Sequence, residues 1–159
     1  MKKTTKWAAL VAAVAVMGAM PGCSNTEEPE VDPRDAYVGT YDGDYVYTET
    51  YYGPYHNMIE TSSFDETYEG AVVKKSGSDA LDIDGEIYTL VGDKLVGETM
   101  TVQDSDGSMA VVGTKTVTGS VSGGNTIIIT GEISGSFAMS DGTAGTISGR
   151  EITTLKKRD

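Results

Sequence analysis

Residues 109–137 have the sequence MAVVGTKTVTGSVSGGNTIIITGEISGSF, which alternates between apolar and polar residues on both sides of Gly123-Gly124-Asn125. The apolar face of the second segment carries Ile127, Ile129, Ile133 and Phe137. A period of two is typical of a β-strand with one buried face. Gly and Asn accept the positive φ angles that a tight hairpin turn requires. The sequence therefore predicts a long antiparallel hairpin with one buried face.

The rest of residues 36–159 shows the same character. Short β-branched and aromatic runs are separated by Gly, Asp and Asn, and no segment has the spacing of an amphipathic helix. The predicted strands are 36–42, 44–52, 65–75, 79–83, 86–91, 94–103, 109–121, 125–137 and 144–156. Glycines at 113, 119, 131 and 135 are typical of strands that bend at barrel corners. We predict an all-β, antiparallel up-and-down meander that closes into an approximately eight-stranded barrel, with a β-sandwich as the alternative.

The start of the first predicted strand resembles a known pattern. Gly39-Thr40-Tyr41 is similar to the G-x-W that begins the barrel of lipocalin-like (calycin) proteins, with Tyr in place of Trp. In that superfamily the aromatic ring closes one barrel end beneath an Arg or Lys of the last strand. The resemblance implies that Arg150 packs over Tyr41. It also implies similarity to small bacterial lipoproteins with calycin-like barrels.

The N-terminus has the sequence MKKTTKWAALVAAVAVMGAMPGC. Its apolar run, residues 7–20, would span roughly 20 Å as a helix, short of the roughly 30 Å of a bilayer core. The segment resembles bacterial lipoprotein signals, which are cut just before a Cys that receives acyl chains. This implies a signal peptide over 1–22, lipidation of Cys23 and a lipid anchor in the cell outer membrane, on its periplasmic or outer face. The alternative is a secretory signal followed by an ordinary thiol.

Residues 23–35 are predicted to form an acidic, disordered tether between the lipid and a folded domain over 36–159. The segment 24–35 holds two prolines and five acidic residues and is poor in apolar ones. Glu27, Glu28 and Glu30 resemble the surface-export signals of some Gram-negative lipoproteins. A solvated acidic linker is the alternative interpretation of these glutamates.

The charge of the chain bears on its partners. Removing residues 1–22 takes away three lysines and leaves nine basic against 24 acidic residues, a formal charge of −15. Such a chain lacks the cationic footprint that nucleic acid requires. The expected partners are the membrane through the lipid on Cys23, and either a small apolar ligand or an envelope protein. We expect a monomer.

Tyrosines carry the best indication of a binding site. Six of them, Tyr37, Tyr41, Tyr45, Tyr47, Tyr51 and Tyr55, fall at odd positions and would share one strand face. Tyr45, Tyr47 and Tyr51 are the predicted ligand-binding residues, because inward rings would line a cavity with apolar walls and hydroxyl groups. The alternative is that these tyrosines reflect strand propensity and packing, with Asp42-Gly43 breaking the register.

Signs of catalysis and metal binding are weak. Asp82-Ile83-Asp84-Gly85 and Asp104-Ser105-Asp106-Gly107 do not continue as calcium loops and are better explained as hairpin turns. His56, the single histidine, follows Gly53-Pro54 in an expected loop. The chain has neither a nucleophile elbow nor a phosphate loop. We therefore expect no enzymatic activity, no catalytic residues, no metal and no cofactor.

Overall fold

The computed structural model of the protein describes residues 31–159. The folded unit spans Pro33–Asp159 and begins with a short 3-10 helix, Pro33–Ala36. Eight strands follow: β1 (Gly39–Tyr52), β2 (Met58–Ser76), β3 (Ala80–Ile83), β4 (Glu86–Val91), β5 (Lys94–Ser105), β6 (Met109–Ser122), β7 (Thr126–Met139) and β8 (Ala144–Lys157). Each strand pairs antiparallel with the next, and β8 pairs with β1. The predicted all-β, eight-stranded, up-and-down barrel is confirmed, and the fold is not a sandwich.

The central hairpin forms as its sequence predicts. Strands β6 and β7 pair without interruption from Met109 opposite Met139 to Ser122 opposite Thr126. Gly123 and Gly124 supply the turn with φ angles of 59° and 72°. These angles lie in the left-handed region, which glycine enters without steric cost. The two Asp-x-Asp-Gly segments also lie at hairpin turns, between β3 and β4 and between β5 and β6. In the first of these turns, Gly85 N–H donates to Asp82 Oδ1 at 2.7 Å.

Two strand predictions were wrong near the N-terminus. Asp42-Gly43 is not a turn, because β1 continues through it and pairs with β2 and β8 on either side. A Cβ atom at Gly43 would lie 2.8 Å from the Tyr68 ring, so the missing side chain lets that ring pack across β1. Strand β2 begins at Met58, seven residues before the predicted start. The first two predicted strands are thus one, which gives eight strands in total.

The lengths of the ladders divide the barrel into two halves. Strand β3 pairs with β2 over Val73–Ser76 alone, and β4 pairs with β5 over Lys94–Val96 alone. We call the end that contains β3 and β4 the closed half, because eight strands surround it. Beyond this short hairpin, the other six strands continue in the order β2, β1, β8, β7, β6, β5. We call this six-stranded part the open half.

Apolar side chains fill the closed half. The largest fully buried ones are Tyr41, Leu81, Leu95, Ile127, Leu155 and Val73. A separate small cluster of Val111, Phe137 and Ile147 lies on the inner face of the open half. Aliphatic side chains that meet at the axis exclude a lumen in the closed half, so any cavity belongs to the open half and its junction with the core.

The folded unit begins slightly earlier than predicted. Arg34, placed in the tether by its sequence, donates from Nη1 to the carbonyl oxygens of Ser76 and Gly77 at 3.3 and 3.0 Å. Its neighbour Asp35 forms an ion pair with Lys75 at 2.5 Å. Residues 33–35 therefore belong to the barrel domain and not to a disordered tether. The predicted signal peptide, Cys23 and the tether up to residue 30 lie outside the described residues.

Candidate functional site

The predicted binding tyrosines face the barrel interior. Strand β1 keeps its alternation through Asp42-Gly43, so Tyr45, Tyr47 and Tyr51 share the inner face with the fully buried Tyr41. The ring of Tyr51 contacts the ring of Phe137 edge-on, with centroids 5.3 Å apart. Opposite β1, the ring of Phe64 lies 6.4 Å from that of Tyr45. The shared face of these tyrosines is thus as the sequence predicts.

Carboxylates accept hydrogen bonds from the inner tyrosines. Tyr45 donates to Glu151 Oε2 at 3.2 Å, and Tyr47 donates to Glu49 Oε2 at 2.6 Å. On β4, Tyr88 donates to Glu86 Oε2 at 2.5 Å. Each tyrosine therefore places an apolar ring and a polar tip inside the barrel, as amphipathic binding sites require.

An ion pair lies beneath the tyrosines. Lys115 Nζ contacts Glu151 Oε1, and the two side chains are only 21% and 16% exposed. The carboxyl group of Glu151 occupies the space that a Cβ atom at Gly131 would fill. The missing side chain at Gly131 therefore allows Glu151 to lie flat across β7 and reach both Lys115 and Tyr45.

Two cavities flank this cluster. One has a volume of about 340 Å³ and reaches from Tyr45, Lys115 and Glu151 down to the core at Leu155. The other, of about 440 Å³, lies near the far end of the open half. Its lining includes Tyr51, Ile59, Met109 and Met139, together with the acidic residues Glu49, Glu60, Asp106 and Asp141. Volumes of this size suit small-molecule sites.

The tyrosine hydroxyls stay protonated near neutral pH. Burial, followed by the adjacent Glu151 carboxylate, raises the pKa of Tyr45 to about 12. Burial and the Glu49 carboxylate raise the pKa of Tyr51 to about 12. The pKa of Tyr47 is raised for the same reasons. Since a carboxylate neighbour disfavours the phenolate, all three hydroxyls act as hydrogen-bond donors.

Acidic residues outnumber basic ones in the lining of the two cavities. Lys115 is the only basic residue among those that line the two cavities, and it is already paired with Glu151. Removing water from unpaired carboxylates costs free energy unless a ligand replaces the lost hydrogen bonds. The lining therefore favours hydroxyl-bearing or cationic ligand groups over anionic ones.

The predicted contact between Tyr41 and Arg150 was wrong. Along the β1–β8 ladder, Tyr41 is opposite Lys157 and Arg150 is opposite Thr48, seven positions away. Seven residues of strand cover about 23 Å. Arg150 lies on the outer face, where its 60% exposed side chain pairs with Glu132. Even-numbered β8 residues point outward, so Arg150 cannot reach the barrel end that Tyr41 fills.

Other basic residues take that position. Lys157 Nζ donates to the carbonyl oxygen of Ala36 at 2.9 Å, and Arg158 Nε donates to Asp42 Oδ1 at 2.7 Å. These contacts tie the end of β8 to the start of β1, beside Tyr41. The Tyr41 hydroxyl donates to the carbonyl oxygen of Tyr37 at 2.8 Å. Lys157 therefore holds the 3-10 helix at the barrel end that Tyr41 fills, whereas Arg158 pairs with Asp42 on the exposed surface beside it.

The remaining residues singled out by the sequence lie apart from this site. Tyr55 and His56 lie in the turn between β1 and β2, with Tyr55 92% exposed. Within residues 31–159, no group of three or more His, Cys, Asp or Glu side chains is placed to hold a metal ion. In the same range, no helix is long and apolar enough to cross a bilayer.

Sequence reasoning did not identify Lys115, Glu151 and Glu49 as parts of the site. All three are charged residues at odd positions of β6, β8 and β1, where the neighbouring odd residues face inward. A charged residue at an inward-facing position of an alternating strand therefore indicates a polar site inside the barrel, and this pattern is visible in the sequence.

Comparisons with known proteins give no match: no protein-family model, no curated protein and no solved structure matches the chain. The resemblances to calycins and to bacterial lipoproteins therefore stay predictions, based on the residues quoted for them.

Proposed function

We propose that the protein is an outer-membrane-anchored lipoprotein whose barrel binds a small apolar or amphipathic ligand in its open half. The observation that carries this proposal is the inner face of β1, where Tyr45 lines one cavity and Tyr51 lines the other, with Tyr47 between them on the same face. Aromatic walls with a few convergent polar groups are typical of small-molecule sites.

The charge of the lining narrows the ligand class. Among fatty acids, sterols, haem-like pigments and oligosaccharides, the acidic lining favours neutral, hydroxyl-bearing molecules. A ligand that buries about 300 Å² of apolar surface gains about 7 kcal/mol from that burial, before association costs. With hydrogen bonds to Glu49 or Glu151, a dissociation constant in the micromolar range or weaker is expected.

The anchor supports the assignment to the outer membrane. The cationic start, the short apolar run and the single Cys23 agree with a lipoprotein signal. Acylation with more than one chain would hold the barrel stably at the membrane. The calycin resemblance fits the same proposal, because barrels of that superfamily hold ligands in their interior.

One observation favours a second candidate, an interaction or structural lipoprotein of the cell envelope without a small-molecule ligand. The closed half is filled by side chains that meet at the axis, as in barrels with a purely structural role. The two candidates differ in whether the open half takes up a ligand.

Titration of intrinsic tyrosine fluorescence tests the proposal. The folded unit contains no Trp, so its emission comes from tyrosines. Sterols and oligosaccharides should give saturable changes, whereas fatty acids should bind at least about tenfold more weakly. Tyr47→Ala should weaken binding about tenfold or more. The matched control Thr48→Ala, on the outer face of the same strand, should leave it unchanged. Equal effects of both changes, or no saturable binder, would favour the second candidate.

A further inference from the structure

The open half has two free strand edges among the described residues. On β2, residues 58–71 have β1 on one side and no strand on the other, because β3 ends at Ile83, opposite Val73. On β5, residues 97–105 have β6 on one side, paired from Thr99 to Ser105, and no strand on the other, because β4 pairs no further than Val96. At about 3.3 Å per residue, these edges are about 46 and 30 Å long.

Edges of this length usually carry features that block pairing with another chain. Short strands, prolines and lysines on the edge are common protections. The β2 edge is fourteen residues long and contains neither proline nor lysine, and its pairing with β1 is regular over residues 60–69, between bulges at Ile59 and Gly70. Alternate backbone N–H and C=O groups along it therefore face the open side, ready to pair with an added strand.

Charge determines which strand would fit. The β2 edge carries the four acidic residues Glu60, Asp65, Glu66 and Glu69. The β5 edge adds Glu98 and Asp104, and neither edge segment contains Lys, Arg or His. Of these six carboxylates, Glu69 is paired with Arg158 at 3.1 Å. A second copy of the chain would place like charges against like, which disfavours self-association through these edges.

We infer that the β2 edge, residues 58–71, binds an extended basic segment of another polypeptide as an added antiparallel or parallel strand. Main-chain hydrogen bonds would supply the affinity. Lysine or arginine side chains on one face of the added strand would pair with Glu60 and Glu66, which share the inner face of β2, or, in the other register, with Asp65 on its outer face. The inference differs from small-molecule binding inside the barrel because its main-chain contacts use the backbone edge of β2. Its side-chain contacts overlap with the proposed ligand site, since Glu60 lines the 440 Å³ cavity and Glu66 lies opposite Tyr45.

A designed peptide tests the inference on the full chain in non-ionic detergent. The probe is a ten-residue peptide of alternating Lys and Thr, since Thr favours the strand conformation. Binding is measured by fluorescence anisotropy of the labelled peptide, and hydrogen exchange locates it. The same peptide with N-methylated backbone at alternate residues keeps the charge but loses the donors of a ladder.

The Lys-Thr peptide should bind and slow amide exchange within residues 58–71, and the N-methylated form should bind at least tenfold more weakly. Asp65→Lys with Glu66→Lys should also weaken binding at least tenfold. The control Asp79→Lys with Asp93→Lys, which changes the net charge equally at exposed turns, should not. Equal binding of both peptides, protection confined to other residues, or no binding would each overturn the inference.

Discussion

The ion pair between Lys115 and Glu151 gives a quantitative test of which side chains face the barrel interior. The change Glu151→Gln keeps the shape of the side chain and leaves Lys115 without its partner. The change Lys115→Met leaves the Glu151 carboxylate without its partner. One position away, Arg150 and Glu132 form a matched pair on the outer face, with side chains 60% and 66% exposed.

The expected losses in the free energy of unfolding depend on how deeply each ion pair is buried. Removing one partner of a fully buried pair costs about 3–5 kcal/mol, and an exposed pair contributes about 0.2–1 kcal/mol. Lys115 and Glu151 are 21% and 16% exposed, so each single change should cost about 2–3 kcal/mol. The double change leaves no unpaired charge and should cost less than the two single costs combined. We expect a coupling free energy of about 2 kcal/mol between Lys115 and Glu151, and of at most about 0.5 kcal/mol between Arg150 and Glu132.

Urea denaturation followed by far-UV circular dichroism at pH 7 measures the free energy of unfolding for each variant of both cycles. Unchanged m-values would show that all variants expose the same surface area when they unfold. An inner coupling no larger than the outer one would refute the placement of Lys115 and Glu151 inside the barrel.

Further predictions concern the fold, the anchor and pH. Gly119→Val should lower the melting temperature by about 10 °C, because a Cβ atom there would lie 2.6 Å from a carbonyl oxygen of β7. Gly149→Ala should lower it much less, since its nearest neighbour would be the Ile133 Cβ atom at 3.3 Å, which needs to move by only a few tenths of an ångström. Cys23→Ser should release the protein from membranes, and persistent detergent-sensitive attachment would contradict the lipoprotein proposal. The raised pKa values of Tyr45 and Tyr51 stabilise the fold below pH 10. Unfolding free energy measured against pH should fall between pH 10 and 12, as protons leave the unfolded chain first.

The fold could be predicted from local pattern because alternation and turn residues act within neighbouring strands. The hairpin of β6 and β7 needed nothing beyond its own sequence. The continuity of β1 through Asp42-Gly43 could not be predicted in this way. It depends on the Tyr68 ring and on β8, which approach Gly43 from distant parts of the chain.

The candidate site was predicted in part, for a similar reason. Parity alone placed Tyr45, Tyr47 and Tyr51 on one face, as the structure has them. Their carboxylate partners come from strands whose register is fixed only when the barrel closes. The pairing of Arg150 with Tyr41 failed because it relied on resemblance and ignored parity, which places even residues of β8 outside.

Nuclear magnetic resonance with selectively labelled tyrosines tests the central claim most directly. The measurement is of nuclear Overhauser contacts between the tightest ligand found by titration and the tyrosine rings. We predict contacts to Tyr45, Tyr47 and Tyr51 and none to Tyr55, which lies exposed in a turn. Contacts to Tyr55 alone, or no contacts to the inner tyrosines at saturation, would contradict binding in the open half.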